Sequence, residues 1–232
     1  MIAFLLATRD EAAPLLEALQ AEKLADSPFE THRFAARRLR PAGIVLITGM
    51  GPIAAAAAAR HVLAVHKVSH LVNAGICGAL DEGRGPGGVY RITTALDGDT
   101  LSDRPATPVD SLDVGAGRTG WKELPVARLA SVREPVFGGE RRRRLAAAAE
   151  LVDMEGYAIA AVAAAQRMPC TLIKGVSDLA TDQGREELRR NLRQVSKAVA
   201  DCLLSGLEQG ACESGGLLRR LADFVKVEHT VF

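Results

Sequence analysis

The chain has 232 residues, of which 48% are apolar, and its formal net charge is +1. This length fits one domain with one sizeable hydrophobic core. Basic and acidic residues are nearly equal in number, 29 against 28. Such a balance does not favour a nucleic-acid-binding protein or a membrane-surface protein, because both usually carry an excess of basic charge.

The N-terminal residues 1–7 are apolar, and charged residues follow from Arg9 onward. A secretory signal needs a basic start, a longer apolar stretch and a small-residue cleavage site, so none is predicted. No uncharged apolar run approaches the roughly 18 residues of a membrane-spanning helix. The four cysteines lie far apart without metal-ligand spacing. We therefore expect a cytoplasmic protein with reduced thiols, no metal, and neither a membrane nor a nucleic-acid partner.

Short apolar runs alternate with helical patterns through the first half of the chain. In chain order the predicted elements are a strand at 2–7, a helix with Leu15, Leu16 and Leu19 on one face, one or two edge strands within 29–40, a strand at 44–48, an alanine-rich helix at 52–65 and a strand at 71–74. Residues 81–120 are rich in Gly, Pro and Asp and predict a long loop around a strand at 89–94.

The second half continues the alternation. It predicts an ordered segment at 124–131, a helix at 139–149, a short strand at 150–152, a helix at 155–166, a strand at 170–176 and a long helix with Leu188, Leu192, Val195, Val199 and Cys202 on one face. A Gly- and Ser-containing link follows residue 209. We therefore predict one domain at 1–208 and a C-terminal extension at 209–232, in which residues 217–227 have the pattern of a short amphipathic helix.

Strands that alternate with helices predict a three-layer α/β fold with a central mixed, mostly parallel sheet. Ligands of such sheets bind at the carboxyl ends of the strands. Acids follow three of the predicted strands, at Glu11, Glu155 and Asp178, whereas the strands before residues 49–51 and 75–78 end in glycines. Acids at helix starts often only cap the helix, as Asp153 would cap the predicted helix at 155–166, so each of these carboxylates also has a purely structural interpretation.

Two segments taken together favour the functional interpretation. Residues 151–158, which contain Met154-Glu155, and residues 176–180, which contain Ser177-Asp178, resemble the signature pair of the purine nucleoside phosphorylase and 5'-methylthioadenosine/S-adenosylhomocysteine nucleosidase superfamily. The resemblance extends over about residues 1–207.

Three further segments, residues 48–51, 73–80 and 7–11, are similar to the two glycine loops of that superfamily and to the acidic loop of its nucleosidase branch. The resemblance implies a nucleoside phosphorylase-like αβα fold and an enzyme that breaks the bond between a purine and its ribose. It implies no metal and no organic cofactor. A homodimer or a higher homo-oligomer is expected by the same analogy.

The resemblance also implies roles for individual residues. Asp178 would protonate N7 of the departing purine, and Ser177 would steady its carboxyl group. Glu155 would bind the ribose hydroxyls, and Met154 would lie under the sugar.

Other positions fall around the same small-molecule nucleoside. Met50 corresponds to an apolar contact near the sugar or its 5' group. Gly78 would line the base pocket, and Val136 or Phe137 would lie against the purine.

The acceptor of the ribosyl group separates two branches of the superfamily. Phosphorylases hold phosphate with arginines, one of them in the loop that corresponds to residues 73–76, where this chain has none and carries Ile76. Nucleosidases orient water with a glutamate that corresponds to Glu11. Lys174 stands where nucleosidases carry an arginine, and Arg9 is a candidate for contacting phosphate. Hydrolysis is favoured.

Three alternatives remain open from the sequence. The first is a phosphorylase of the hopanoid-associated type, with phosphate as co-substrate and a 5'-modified adenosine as substrate. The second is a nucleoside-binding protein without catalysis. The third is a Rossmann NAD-binding oxidoreductase, because residues 49–54 partly match a dinucleotide-binding fingerprint.

Overall fold

A computed structural model describes residues 1–37, 40–103, 111–114 and 119–228 of the chain. The strands are β1 (Ile2–Leu6), β2 (Glu22–Ala25), β3 (Thr31–Phe34), β4 (Gly43–Ile47), β5 (His70–Ala79), β6 (Val89–Asp97), β7 (Ser111–Asp113), β8 (Val126–Ser131), β9 (Leu151–Asp153) and β10 (Cys170–Asp178). The helices are α1 (Arg9–Leu19), α2 (Pro52–Val65), α3 (Gly98–Asp103), α4 (Gly139–Ala146), α5 (Gly156–Ala165) and α6 (Gly184–Glu228).

The strands form one mixed sheet, in which β5 is the central strand. Parallel pairs join β1 to β4 and β5, β5 to β10, and β8 to β6 and β9. Antiparallel pairs join β3 to β2 and β4, β5 to β9, and β6 to β7 and β10. The pairing is thus more evenly mixed than the mostly parallel sheet that the sequence predicts.

The long strand β5 has three neighbours in the sheet. Its first residues pair with β1, residues 71–78 pair with β10, and its last residues, Gly78 and Ala79, pair with β9. The pairs β5–β10–β6–β8–β9 therefore return to β5 and close that part of the sheet on itself. This closure brings the ends of β1, β5, β9 and β10 to one region.

Helices cover both faces of the sheet. Apolar side chains of α1 and α6, among them Leu15, Leu19, Val195 and Val199, share a core cluster with β1. On the opposite face, α2 and α5 pack together over a second cluster. The alanine-rich sequence of α2 favours the helix and keeps this packing close, and Pro52 occupies its first turn, where a missing N–H costs nothing. The predicted three-layer arrangement is confirmed.

Some predicted boundaries are wrong. The edge strand β2 is exposed and polar, so no apolar alternation revealed it. The predicted loop at 81–120 contains a longer β6 as well as α3 and β7, and its residues 104–110 and 115–118 lie outside the described part. Helix α6 also continues to Glu228, in place of the predicted link after residue 209.

Candidate active site

A cavity of about 260 Å³ opens where β1, β5, β9 and β10 end. Nine of the residues predicted from the sequence line it: Glu11, Met50, Ile76, Gly78, Val136, Met154, Glu155, Ser177 and Asp178. Carboxylates that follow three different strands thus face one cavity. This cavity lies at the strand ends, where the fold class predicts the ligand site.

Ser177 and Asp178 reach the cavity through an irregularity of β10. The register against β5 shifts between Val176 and Asp178, so that Val176 lies opposite Cys77 and Asp178 opposite Gly78. Consecutive side chains of a regular strand point to opposite faces. A bulge re-aims them, and here both Ser177 and Asp178 line the same cavity.

The Asp178 carboxyl group is held by two donors. The amide of Ala180 donates to Oδ1 at 2.9 Å, and the Ser177 hydroxyl lies 2.7 Å from Oδ2. Burial raises the pKa of Asp178, and these two hydrogen bonds lower it in part. The charge of Glu187 adds a smaller upward contribution. The net direction is upward, which favours the protonated form compared with an exposed carboxyl group.

Ser177 has two acceptors for its single proton. Its hydroxyl oxygen lies 3.1 Å from the carbonyl oxygen of Cys77 and 2.7 Å from Oδ2 of Asp178. It donates to Asp178 when that group is ionised, and it can donate to Cys77 while it accepts from a protonated Asp178. The serine therefore has a hydrogen-bonding arrangement for both protonation states of the acid.

Two glycines of β5 give the carboxylates room. A Cβ at Gly78 would lie 3.1 Å from Oδ1 of Asp178, and a Cβ at Gly75 would lie 3.2 Å from Oε2 of Glu11. Both distances are tighter than ordinary van der Waals contact. The glycines that suggested close approach of a ligand thus also accommodate the protein's own acids.

Glu11 is fixed by the start of α1. Its Oε2 accepts from the amides of Ala7 at 3.1 Å and Thr8 at 3.3 Å, and the amide of Glu11 donates to the Thr8 hydroxyl, which completes a capping box. Burial raises the pKa of Glu11, while the charge of Lys174 and backbone donors oppose that rise. The Glu11 carboxylate therefore both takes part in the cap of α1 and lines the cavity.

Glu155 contacts the first glycine loop. Its Oε1 accepts from the amide of Gly51 at 2.7 Å, across 104 residues of sequence. Burial and the neighbouring charge of Asp153 raise the pKa of Glu155 to about 7, against the opposing charge of Lys174 and the Gly51 donor. Near neutral pH this carboxyl group is therefore divided between its two protonation states.

The raised pKa of Glu155 predicts a pH-dependent stability. Between its ordinary value of 4.5 and about 7 the folded state keeps a proton that the unfolded state has released, so stability falls as pH rises through that window. Glu155→Gln should therefore gain stability relative to the unsubstituted protein, by on the order of 3 kcal/mol at about pH 8 and by far less near pH 4.5. Urea unfolding at both pH values measures this, and a gain that does not depend on pH would contradict it.

Lys174 is fully buried behind the cavity. Its Nζ lies 2.7 Å from Oδ2 of Asp153, and both side chains are 1% exposed. Burial lowers the pKa of Lys174, but the charges of Asp153, Glu155 and Glu11 outweigh that effect and leave the pKa above its usual range. One ammonium thus interacts with three buried carboxyl groups.

Asp153 is the residue that sequence reasoning placed only as a helix cap. It does accept from the Gly156 amide at 2.9 Å, but it also pairs with Lys174 and accepts from the Ser131 hydroxyl at 2.5 Å. Ser131 in turn accepts from the Tyr157 amide at 2.8 Å. The available signal was that Asp153 directly follows the apolar pair Leu151-Val152, which favours a buried position.

Arg9, the candidate for contacting phosphate, lies outside the cavity. Its side chain is 66% exposed, forms an ion pair with Glu30 at 3.2 Å and is absent from the cavity lining. Met50, by contrast, lies at the mouth of the cavity and is 69% exposed.

Several lining residues were not singled out from the sequence. Apolar walls come from the segment after β8 and from α6, and polar ones from the start of α1. These residues are Pro135, Leu188, Leu192, Thr8 and Asp10. Thr8 and Asp10 lie within residues 7–11, which resemble the acidic loop, and Leu188 and Leu192 lie on the predicted apolar face of the long helix.

The family model of the phosphorylase superfamily matches residues 1–208. The chain belongs to the phosphorylase superfamily. A comparison with curated proteins gives no significant match. The match covers the whole of the predicted main domain and every residue that lines the cavity.

Solved structures of this superfamily have the same fold. The 5'-methylthioadenosine/S-adenosylhomocysteine nucleosidase of Helicobacter pylori superposes with a TM-score of 0.80 at 18% identity, over 90% of this chain and 97% of that one. The futalosine hydrolase of the same organism gives 0.80 at 19%, over 90% and 97%. An S-adenosylhomocysteine nucleosidase of Streptococcus pyogenes, in complex with 5-methylthiotubericidin, gives 0.78 at 20%, over 90% and 96%.

Membership of the phosphorylase superfamily confirms an enzyme that cleaves N-glycosidic bonds. Nucleosidases of this superfamily act without a cofactor. The Rossmann alternative is wrong, because the glycine loop belongs to this different fold and its Gly51 amide is bound by Glu155 rather than free for a pyrophosphate. Within the described residues, no group of three metal-ligating side chains occurs, and no helix there has the length and apolar character to span a membrane.

Proposed function

We propose that this protein hydrolyses the N-glycosidic bond of a 5'-substituted adenosine, as 5'-methylthioadenosine/S-adenosylhomocysteine nucleosidases do. The observation that carries the proposal is that Glu11, Glu155 and Asp178, from three distant parts of the chain, line one cavity of about 260 Å³. Each carboxylate has a different environment, which suits three different tasks. The nucleosidases with the same fold support this choice.

Asp178 acts as the general acid. A purine leaves ribose readily when N7 is protonated, because the departing base is then neutral. Asp178 has the raised pKa that a proton donor needs, and the Ser177 hydroxyl can stabilise the carboxylate that remains after donation. Gly78 leaves the acid open to the cavity, and Val136 and Phe137 provide an apolar wall for the base.

Glu155 and Glu11 act on the sugar. Glu155 in its ionised form accepts hydrogen bonds from the ribose hydroxyls, and Gly51 holds one of its oxygens in place. The sugar becomes cation-like as the base departs, so both carboxylates stabilise that state electrostatically. Met154, at the cavity wall beside Glu155, gives the sugar an apolar contact.

Water is favoured over phosphate by the charge of the cavity. The described residues that line it include five acids and no arginine or lysine. A phosphate anion would meet like charge there at close range, which disfavours its binding. Lys174 is committed to Asp153, and Arg9 to Glu30. Glu11 can instead accept a proton from water and orient it toward the sugar.

The test is release of free adenine from 5'-methylthioadenosine in a phosphate-free buffer. We expect turnover without phosphate and no stimulation when phosphate is added. Turnover that requires phosphate would establish a phosphorylase, and no turnover across a panel of purine nucleosides would establish a binding protein.

Glu11→Gln tests the role of water in the same assay. Gln keeps the size of the side chain and an oxygen for the amides of Ala7 and Thr8, but it cannot accept a proton. We expect kcat to fall by about 10²-fold or more with little change in thermal stability. Glu22→Gln, an acid-to-amide change at an exposed position of β2 outside the cavity, is the matched control. A normal rate for Glu11→Gln would contradict hydrolysis assisted by this residue.

A further inference from the structure

A second cleft, of about 700 Å³, runs between α1 and α6. We call it the α1–α6 groove; its residues include Asp10, Pro14, Leu192, Arg193 and Lys197. Asp10 and Leu192 also line the catalytic cavity. The groove and the cavity therefore meet at these two side chains, and a ligand too long for the cavity can continue into the groove.

The groove offers charges of both signs near this junction. Asp10 and Arg193 face it from opposite helices, and within the described part of the chain neither has an ion-pair partner. Lys197 and Asp201, farther along α6, neutralise each other at 2.7 Å. The carboxylate and the guanidinium at the near end thus remain available to a ligand.

Pro14 adds an acceptor at the same place. Proline has no N–H, so the carbonyl oxygen of Asp10, four residues earlier in α1, lacks its regular helical donor. Asp10 therefore presents both a carboxylate and a backbone oxygen at the entrance of the groove. An ammonium group is the ligand chemistry that satisfies both.

We propose that the α1–α6 groove binds the zwitterionic amino-acid end of a 5'-thioadenosine substituent, with the ammonium at Asp10 and the carboxylate at Arg193. This inference rests on the proposed function. With the purine at Asp178 and the hydroxyls at Glu155, the junction at Asp10 and Leu192 gives the 5' substituent a path from the cavity into the groove. S-adenosylhomocysteine has such an end, and 5'-methylthioadenosine does not.

Other 5' substituents fit the groove less well. A long lipid would place apolar surface against several charged side chains, which costs desolvation without compensation. A substituent that ends in a carboxylate alone would pair with Arg193 but leave Asp10 unsatisfied and repelling it. Only a group with both charges uses both ends of the site.

The experiment compares three ligands: 5'-methylthioadenosine, S-adenosylhomocysteine, and the 3-carboxypropylthio analogue that lacks only the ammonium. Affinities are measured by titration calorimetry in an Asp178→Asn background, so that turnover does not interfere. The same ligands are assayed for kcat/KM in the enzyme with Asp178 intact. Arg193→Gln and Asp10→Asn are each introduced, and Arg190→Gln, an exposed arginine of α6 that lines neither cavity nor groove, is the control.

We expect S-adenosylhomocysteine to bind about tenfold or more tightly than 5'-methylthioadenosine, an advantage that shrinks at high salt. Arg193→Gln should reduce this advantage over 5'-methylthioadenosine about tenfold. Asp10→Asn should weaken the binding of S-adenosylhomocysteine but not that of the analogue, which has no ammonium. Arg190→Gln should leave all three affinities unchanged. Equal affinities, or ratios that ignore both substitutions, would overturn the groove assignment.

The outcome also separates the two proposals. Binding that depends on Asp10 and Arg193 without any glycosidic cleavage would support the groove and refute the hydrolase. Cleavage of both nucleosides with no effect of either substitution would support the hydrolase and refute the groove. If none of the three ligands binds or reacts, both proposals fail.

Discussion

Replacing Asp178 by asparagine is expected to lower kcat by about 10²- to 10⁴-fold, the range that a positioned general acid contributes. Asparagine keeps the shape of the side chain and can accept from the Ala180 amide, but it has no proton to transfer to N7. Substrate affinity should change little, because the carboxyl group acts mainly as the bond breaks. Adenine release under substrate saturation measures the effect.

The pH profile distinguishes this role from a structural one. Asp178 must be protonated to act, and its pKa is raised by burial, so the rate in the unsubstituted enzyme should fall as pH rises through that pKa. Asp178→Asn should lose this falling limb as well as the rate. Asp182→Asn, an exposed acid outside the cavity, is the control and should leave both unchanged. A wild-type rate in Asp178→Asn would remove Asp178 from the mechanism.

Replacing Lys174 by methionine is expected to destabilise the protein by about 3–5 kcal/mol, because it removes one partner of a buried ion pair. Methionine matches the length of the stem, so packing is largely preserved. Asp153, Glu155 and Glu11 would then share a buried region without the ammonium that now faces them. Chemical denaturation at about pH 8 measures the loss of unfolding free energy.

Two comparisons separate the effect of the buried Lys174 charge from other effects of the substitution. Lys197→Met breaks an ion pair of the same length, 2.7 Å, but an exposed one, and should cost less than about 1 kcal/mol. Without Lys174 the pKa values of the buried carboxyl groups rise further, so these groups become protonated as pH falls. The loss of unfolding free energy in Lys174→Met should therefore be smaller at low pH. If Lys174→Met loses no more unfolding free energy than Lys197→Met, the buried ammonium is not needed to offset the charge of the neighbouring carboxylates.

The positions of the principal site residues could be predicted because they depend on local sequence. Short apolar runs identified β1, β4, β5 and β10, and the carboxyl ends of such strands are where ligands bind. Glu11 and Glu155 lie shortly after the ends of β1 and β9, and Asp178 is the last residue of β10. Once the strands are assigned, the region that these residues share follows from the fold class.

The functions of Asp153 and Arg9 could not be predicted in the same way. Each has a partner distant in sequence, Lys174 for Asp153 and Glu30 for Arg9, and no local pattern specifies such a pair. Asp153 looked like a helix cap because it is one, through the Gly156 amide. Its second function is visible only when β9 and β10 are placed near each other.

The sequence by itself determined that this is a layered α/β enzyme of the phosphorylase superfamily with an acid after each of three strands. These features rest on apolar periodicity and on short motifs, which are properties of neighbouring residues. Only the tertiary structure decided that β5 has three partners, that β10 bulges at Ser177, and that one buried lysine interacts with three buried carboxyl groups. Those features depend on strand order and burial, which bring together groups about 20 to 160 residues apart, and no local stretch of sequence encodes that proximity.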